Sequence, residues 1–350
     1  ADLGEDVISS EANDILATQA ARESMVLLKN ESEILPLDSG ERIALIGPFV
    51  SEPRAMLGSW TAFRDYDRTV CVDEGFETRF PGRVHVVKGC EAFSDLEGGI
   101  AEAVRAARSA AVLVLGLPGE LSGEAASMTT VELPECQKIL LSAVKKTGKP
   151  VVVLLTTGRP MALESVIDNI DALLLAWHPG TMGGHAIADL VSGDFSPSGH
   201  LAMSFPRCDG QIPIRYNHKN TGRPADGIGL RSMNSRKIYQ SCYLLTPNSP
   251  LYPFGYGLSY TEFEWSDFTM SEVDKNGNIK LTVNVKNTGD RAGKDVVQVY
   301  VQAPYFEGGV EKSSVNLVGF AKTSLLAAGA SEKVEVVVNL KDFTSYDVKA

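Results

Sequence analysis

Residues 151–193 read VVVLLTTGRPMALESVIDNIDALLLAWHPGTMGGHAIADLVSG. Two apolar runs in this stretch, VVVLL (151–155) and ALLLAW (172–177), are continuous rather than alternating. That is the pattern of strands covered on both faces. PMALESVID (160–168) and GGHAIADLVSG (183–193) read as the helices that follow them. Right-handed crossovers between such strands build an open parallel sheet with helices on each side. Moving toward the N-terminus the alternation persists, with strands at IALI (43–46), VHVV (84–87) and VLVL (112–115). The helical stretches there are LEGGIAEAVRAARSA (96–110) and PECQKILLSAVKKTG (134–148). Residues 10–30 are expected to form a further helix, because Ile15, Thr18, Ala21, Arg22, Met25 and Leu28 recur at helical spacing and Ser10 or Asn13 can cap it.

Toward the C-terminus the pattern stops near residue 205. Residues 208–262 are rich in Gly, Pro, Asn and Tyr without helical periodicity, and read as an irregular connector. From 263 the period becomes two, in KLTVNVKNTG (280–289), DVVQVYVQAP (295–304), VNLVGFAKTSLLAAG (315–329) and KVEVVVNL (333–340). Short alternating strands separated by turns indicate an antiparallel β-sandwich. About five strands are legible where a complete sandwich of this type has about seven, so an incomplete one is expected. The expected organisation is an α/β domain over 1–207, the connector over 208–262 and the sandwich over 263–350.

The 350 residues are 44% hydrophobic and 22% charged, ample material for two globular cores. A net charge of −11 leaves no basic face for a phosphate backbone, which argues against nucleic-acid binding. No apolar run approaches the ~18 residues of a membrane span. The polar, acidic start ADLGEDVISSEAN (1–13) is unlike a signal peptide. Five scattered cysteines form no CxxC and no metal-finger spacing, and the odd count disfavours a disulfide framework, although a single Cys71–Cys90 bridge stays open. The five histidines offer no metal-ligand spacing either, so neither a structural metal nor a cofactor is expected. Phosphate-binding signatures are missing too: no GxxxxGK[ST] occurs, and GLPGELSG has the wrong spacing for a dinucleotide loop. Asn30-Glu31-Ser32 fits a glycosylation acceptor, a pattern that also arises by chance.

In an open parallel sheet, ligands bind outside the carboxyl ends of the strands. That rule selects GPFVSEPRAMLGSWTAF (47–63), GLPGELSGEAASM (116–128), TTGRPM (156–161) and HPGTMGGH (178–185). Within them, Glu120 and Glu124 are acidic side chains framed by small residues. A carboxyl group is the natural proton donor for a leaving alcohol when poor solvation or a neighbouring carboxylate raises its pKa. The plainer reading is a solvated loop or a helix cap near Pro134. Trp60 could stack on a sugar or sit at a hinge. Arg159 could bind a ligand or only cap carbonyls. His178 ends a strand without a nucleophile elbow beside it, so it is not expected to be catalytic.

Several longer segments carry a resemblance. They are RESMVLLKNESEILPL (22–37), IGP (46–48), MLGSW (56–60), SGEA (122–125), LPECQ (133–137), GKPVVVLLTTGRP (148–160), GGHAIADLVSGDFSPSGHLAMSFPR (183–207), TGRP (221–224) and YPFGYGLSYTEF (252–263). Together they resemble glycoside hydrolase family 3, and in pattern its bacterial periplasmic-type β-glucosidases. The resemblance implies a TIM-barrel domain followed by an α/β sandwich domain and a fibronectin-III-like domain. On this sequence it implies that the barrel lies outside the chain. It assigns the general acid/base to the glutamate of the SGE segment, Glu124, with Glu120 as the alternative. The nucleophile would be an aspartate of the barrel; Ser266-Asp267-Phe268 does not qualify. Trp60, Met128 and Arg159 are candidates for sugar contacts, Met128 standing where the β-glucosidase branch usually has an arginine.

Retention through a covalent glycosyl-enzyme is implied, acting on a β-glucoside or oligosaccharide, so the isolated chain is expected to be inactive. The alternative is a non-catalytic module that binds carbohydrate or a protein. A surface stripped of its barrel and an unpaired sandwich edge lead us to expect homo-oligomers. The resemblance implies a periplasmic or secreted location, while the chain itself leaves a cytoplasmic one open.

Overall fold

The computed structural model of this chain describes residues 10–37, 40, 42–62, 64–107, 110–219, 221–225, 239–304 and 309–347. Residues 1–9 of the polar N-terminal stretch and 226–238 of the expected connector lie outside the described residues. The chain divides into two compact units, Ala1–His200 with Tyr256–Tyr260, and Leu201–Gly255 with Thr261–Ala350.

The first unit is built on six strands: β1 (Val26–Asn30), β2 (Ile43–Ile46), β3 (Val84–Val87), β4 (Ala110–Gly116), β5 (Val151–Thr156) and β6 (Ala172–Leu175). Their order across the sheet is β1-β6-β5-β4-β2-β3. Strands β2 to β6 run parallel, and every residue of β2, β4, β5 and β6 is buried, as both-face coverage demands. Covering helices include α1 (Glu11–Ser24), α3 (Val72–Arg79), α4 (Gly99–Ala106), α5 (Glu135–Lys145) and α6 (Gly183–Ser192), with the short α2 (Pro53–Leu57) after β2. The sequence periodicity marked α1, α4, α5 and α6; α2 and α3 lie in stretches it left unassigned.

Two expectations are corrected. Residues 10–30 are not one helix: Ser10 caps α1, accepting from the Asn13 N–H at 3.3 Å, but the helix ends at Ser24. Val26-Leu27-Leu28 then form an edge strand antiparallel to β6. All three side chains are buried there, and a continuous apolar triplet beginning with a β-branched residue suits a covered strand. Residues 160–168 do not form an α-helix. Met161, Ala162 and Leu163 are buried in extended backbone, Ala162 N–H donating to the Val131 carbonyl at 2.9 Å, and only Ile167–Asn169 turns helically, as a 3-10 turn.

The exit from β4 is fixed by one side chain. Gln137 on α5 is fully buried. Its Oε1 accepts from Gly116 N–H at 2.8 Å, and its Nε2 donates to the carbonyls of Gly116 and Ala92, both at 2.9 Å. Gly116 lies at φ 139°, and a Cβ there would stand 1.8 Å from the Thr156 carbonyl oxygen. The strand can leave the sheet here because Gln137 takes over backbone groups that a neighbouring strand would otherwise satisfy.

In the second unit, β7 (Phe263–Met270), β8 (Asn278–Asn287) and β11 (Ser331–Asn339) form an antiparallel sheet in the order β11-β8-β7. Strands β9 (Val296–Val301) and β10 (Asn316–Lys322) pair antiparallel in a second sheet. Val283, Val285, Val297, Val334, Val336 and Val338 make the core between them, the inward members of period-two runs. Buried Asn287 organises a turn region: its Nδ2 donates to the Arg291 and Leu326 carbonyls at 2.7 and 2.9 Å, while its Oδ1 accepts from Thr261 Oγ1 at 2.6 Å. Residues of the irregular stretch pack on this unit, the Tyr216 and Phe254 rings stacking at 4.0 Å.

All five cysteines are free thiols, and the Cys71–Cys90 bridge does not form. Cys90 faces Cys136 instead; burial, then the neighbouring Cys136, pushes the Cys90 thiol up to about 12. Among the described residues no helix is long and apolar enough to cross a membrane.

Candidate active site

Strand order locates the site before any side chain does. The chain runs from β2 outward to β3 and returns to β4 on the other side of β2, so the winding direction reverses between β2 and β4. Open α/β sheets bind ligands in the crevice at that reversal. The loops leaving β2 and β4 carry Trp60 and Glu124.

The loop after β4 begins with a 3-10 turn, Gly119–Ser122, and side chains from three other strand ends hold it. From the β2 side, Ser59 Oγ–H donates to the Gly119 carbonyl. Arg54 of α2 pairs with Glu120 at 3.7 Å and lies over the Tyr66 ring at 5.6 Å. From β5, Arg159 Nη2 donates to the Leu121 carbonyl and, at 3.1 Å, to that of Ala126. From β6, His178 Nε2 lies 3.0 Å from Ser122 Oγ. Its Nδ1 lies 2.8 Å from the Ala55 carbonyl, which can only accept, so Nδ1 carries the proton and Nε2 accepts from the serine.

The approach is close enough to explain small residues on three of these loops. A Cβ at Gly158 would stand 2.2 Å from Ser122 Oγ, one at Gly58 3.0 Å from the His178 ring, and one at Gly119 2.7 Å from Gly58 Cα. Ala125 and Trp177, each beside a residue of interest, both sit at φ 58°. Non-glycine residues in that region cost about 1 to 3 kcal/mol, and they persist only where the surroundings enforce them.

Glu124 itself is exposed on this braced loop and takes no partner among the described residues. Glu120 is also exposed, but paired with Arg54. Trp60 is 74% exposed, and Met128 is half-buried farther along the Glu124 loop. Arg159 lies against the same loop through its carbonyls. Sequence reasoning passed over Ser59 and Ser122 as holding groups. It set His178 aside for want of a local nucleophile, whereas its partner Ser122 lies 56 residues away in sequence. The strand-end rule, which selects both loops, is the signal that brings them together.

Burial holds the His178 imidazole below its ordinary value, against the opposing pull of the Ala55 carbonyl and the Glu120 carboxylate. The charged groups facing it are Glu120 and, through the ion pair, Arg54. An unfolded histidine takes up its proton near pH 6.5, before the folded one does. Stability from the neutral ring is therefore whole above about pH 6.5 and declines as pH falls below it. Thermal unfolding of the chain at pH 7.5 and 5.5 is expected to show a smaller acid loss in His178→Gln than in the parent. An unchanged pH dependence would reject this assignment.

One group of potential metal ligands lies close together among the described residues, Cys71, Asp73 and Glu74, with ligand atoms within 4.8 Å. Its chemistry is that of a helix cap: Glu74 accepts from the Cys71 N–H at 2.9 Å. Burial and the nearby Asp73 and Glu74 push the Cys71 thiol up to about 12, which opposes the thiolate a metal needs.

Residues 25–260 match the glycosyl hydrolase family 3 C-terminal domain, and residues 295–350 match the fibronectin type III-like domain. The periplasmic beta-glucosidase of Salmonella typhimurium is 40% identical over 336 residues, covering 88% of this chain and 43% of that protein. A beta-xylosidase of Formosa agariphila is 35% identical over 321 residues, covering 88% of this chain and 42% of its own length. Among solved structures, the beta-glucosidase from Listeria innocua in complex with isofagomine superposes with a TM-score of 0.89 at 37% identity, over all of this chain and 48% of that one. The chain thus spans less than half the length of the relatives it matches. With a strand-order reversal, a braced acidic loop and these likenesses in agreement, the chain belongs to glycosyl hydrolase family 3, whose C-terminal domain it carries.

Proposed function

We propose that this chain supplies the general acid/base of a retaining β-glucosidase, with Glu124 in that role and the nucleophilic aspartate on a barrel domain outside these 350 residues. The observation that carries the reading is the contrast within one loop. Residues on either side of Glu124 are held by side chains from three other strand ends, while its carboxyl is left open to solvent. A proton donor needs a fixed backbone and an uncommitted carboxyl, and the neighbouring carboxylate it also requires is the nucleophile of the barrel domain.

In the first step the protonated Glu124 gives its proton to the glycosidic oxygen as the nucleophile attacks the anomeric carbon, releasing the alcohol and leaving a glycosyl ester. In the second, the Glu124 carboxylate removes a proton from water, whose oxygen displaces the nucleophile from the anomeric carbon. Retaining enzymes need the two carboxyl groups about 5–5.5 Å apart, so the second must come from the partner domain. Trp60 offers an exposed ring to a sugar face and Met128 an apolar edge beside the acid, while Arg159 acts on the loop and on bound sugar. Glucosides are favoured as substrates by the likeness to the two β-glucosidases, and a location outside the cytoplasm by the periplasmic one.

The test joins this chain to the portion of the Salmonella typhimurium relative that it does not cover, and assays aryl β-glucosides. The isolated chain is expected to show no turnover and the joined protein to hydrolyse with retention of configuration. Turnover by the isolated chain, or a folded joined protein that binds glucosides without cleaving them, would overturn the reading, the second result favouring a binding module.

A further inference from the structure

We propose that Ser122 and His178 form a positioning pair for the acid/base, His178 holding the Glu124 loop through the serine hydroxyl; this rests on Glu124 being the acid/base. The pair joins three strand ends: the Ala55 carbonyl after β2, His178 after β6 and Ser122 after β4. The Ala55 carbonyl fixes the ring with its proton on Nδ1, 2.8 Å away. That leaves Nε2 as a pure acceptor, and Ser122 Oγ lies 3.0 Å from it. Ser122 stands two residues before Glu124, so the imidazole governs where the acid's backbone sits without touching the acid.

Packing keeps the pair in one arrangement. Gly58 lies against one part of the ring and Gly158 against the serine, each too close for a side chain to be added without movement. Arg159 then fixes the far side of the same loop at Ala126, two residues after Glu124. Glu124 is therefore held on both sides, with His178 and Arg159 acting before it and Arg159 again after it. Neither residue comes from its own strand. A serine–histidine pair used in nucleophilic catalysis would need an oxyanion hole and a substrate pocket at the hydroxyl. Here the hydroxyl is instead packed against Gly158.

The first readout uses the 350-residue chain alone. Long-range proton–nitrogen NMR of the His178 ring is expected to show Nδ1 protonated and Nε2 as acceptor. Amide hydrogen exchange over 120–126 is expected to quicken at least tenfold in Ser122→Ala and in His178→Gln, with β5 and α6 unchanged. An Nε2-protonated ring, or unchanged loop exchange in both variants, overturns the pair. The second readout uses the joined protein described above. Ser122→Ala is expected to lower kcat/KM for phenyl β-glucoside 10- to 100-fold while kcat/KM for 2,4-dinitrophenyl β-glucoside stays nearly unaffected, because only the poorer leaving group needs the proton in the first step. Equal losses in kcat/KM on both substrates would overturn positioning of the acid. An inactive parental joined protein with the NMR and exchange results as expected would remove the catalytic reading and with it the pair's link to acid catalysis.

Discussion

Glu124→Gln in the joined protein is expected to reduce kcat/KM for phenyl β-glucoside by about 100- to 10,000-fold, the range general acid–base groups supply. The size of the loss should depend on the leaving group. Phenol is a poor leaving group and needs the proton that glutamine cannot give; 2,4-dinitrophenolate departs without it. For the activated substrate the first step should remain fast and the second, which needs a base to activate water, should become limiting. A glycosyl-enzyme then accumulates, visible as a burst of dinitrophenolate. Azide, which needs no base, should restore turnover and yield a β-glucosyl azide. Glu120→Gln is the control. It removes one partner of an exposed ion pair with Arg54, an interaction worth at most about 1 kcal/mol, and should change these rates only a few-fold. If Glu120→Gln gives the burst and the azide product while Glu124→Gln does not, the assignment between the two carboxyls is reversed.

That assignment also shows what the sequence could and could not disclose. Continuous apolar runs made the strands legible, because a strand covered on both faces has no polar face to interrupt it. The same property hid the edge strand: Val26-Leu27-Leu28 satisfies a helix pattern as readily as a strand, and only pairing with β6 decides between them. Residues 160–168 failed in the opposite sense, since Met161-Ala162-Leu163 fills a core in extended form after a proline-containing turn. At the site, strand-end reasoning selected the loops but not their mutual contacts. Ser122 meets His178 across 56 residues and Arg159 reaches Leu121 across 38, separations that no local spacing encodes. The assignment of acid chemistry to Glu124 came from the likeness of the SGEA segment to a family, and the geometry gives that likeness a physical setting.

The largest expected effect on stability lies away from the proposed chemistry, at Gln137. Gln137→Leu keeps the side chain's approximate volume but removes three hydrogen bonds in one step. Gly116 N–H, Gly116 C=O and the Ala92 carbonyl would lose their partner, two of these bonds lying in fully buried surroundings. Each buried group left unsatisfied costs about 1 to 3 kcal/mol, and partial relaxation should leave a net loss of roughly 3 to 5 kcal/mol. Against a typical total of about 5 to 15 kcal/mol, urea unfolding should show an early transition for the first unit. Gln137→Glu separates the polar contribution from packing. Its carboxylate can still accept from Gly116 N–H but cannot donate, and it carries an unpaired charge into the interior, so at neutral pH it should be at least as damaging as leucine. Protonation restores a donor for one of the two carbonyls, so the glutamate variant should recover relative to the leucine variant as pH falls. Because Gly116 opens the loop that carries Glu124, both variants should also quicken hydrogen exchange over 117–126 before global unfolding. Stability within about 0.5 kcal/mol of the parent in Gln137→Leu would mean that β4 ends for a reason other than this side chain.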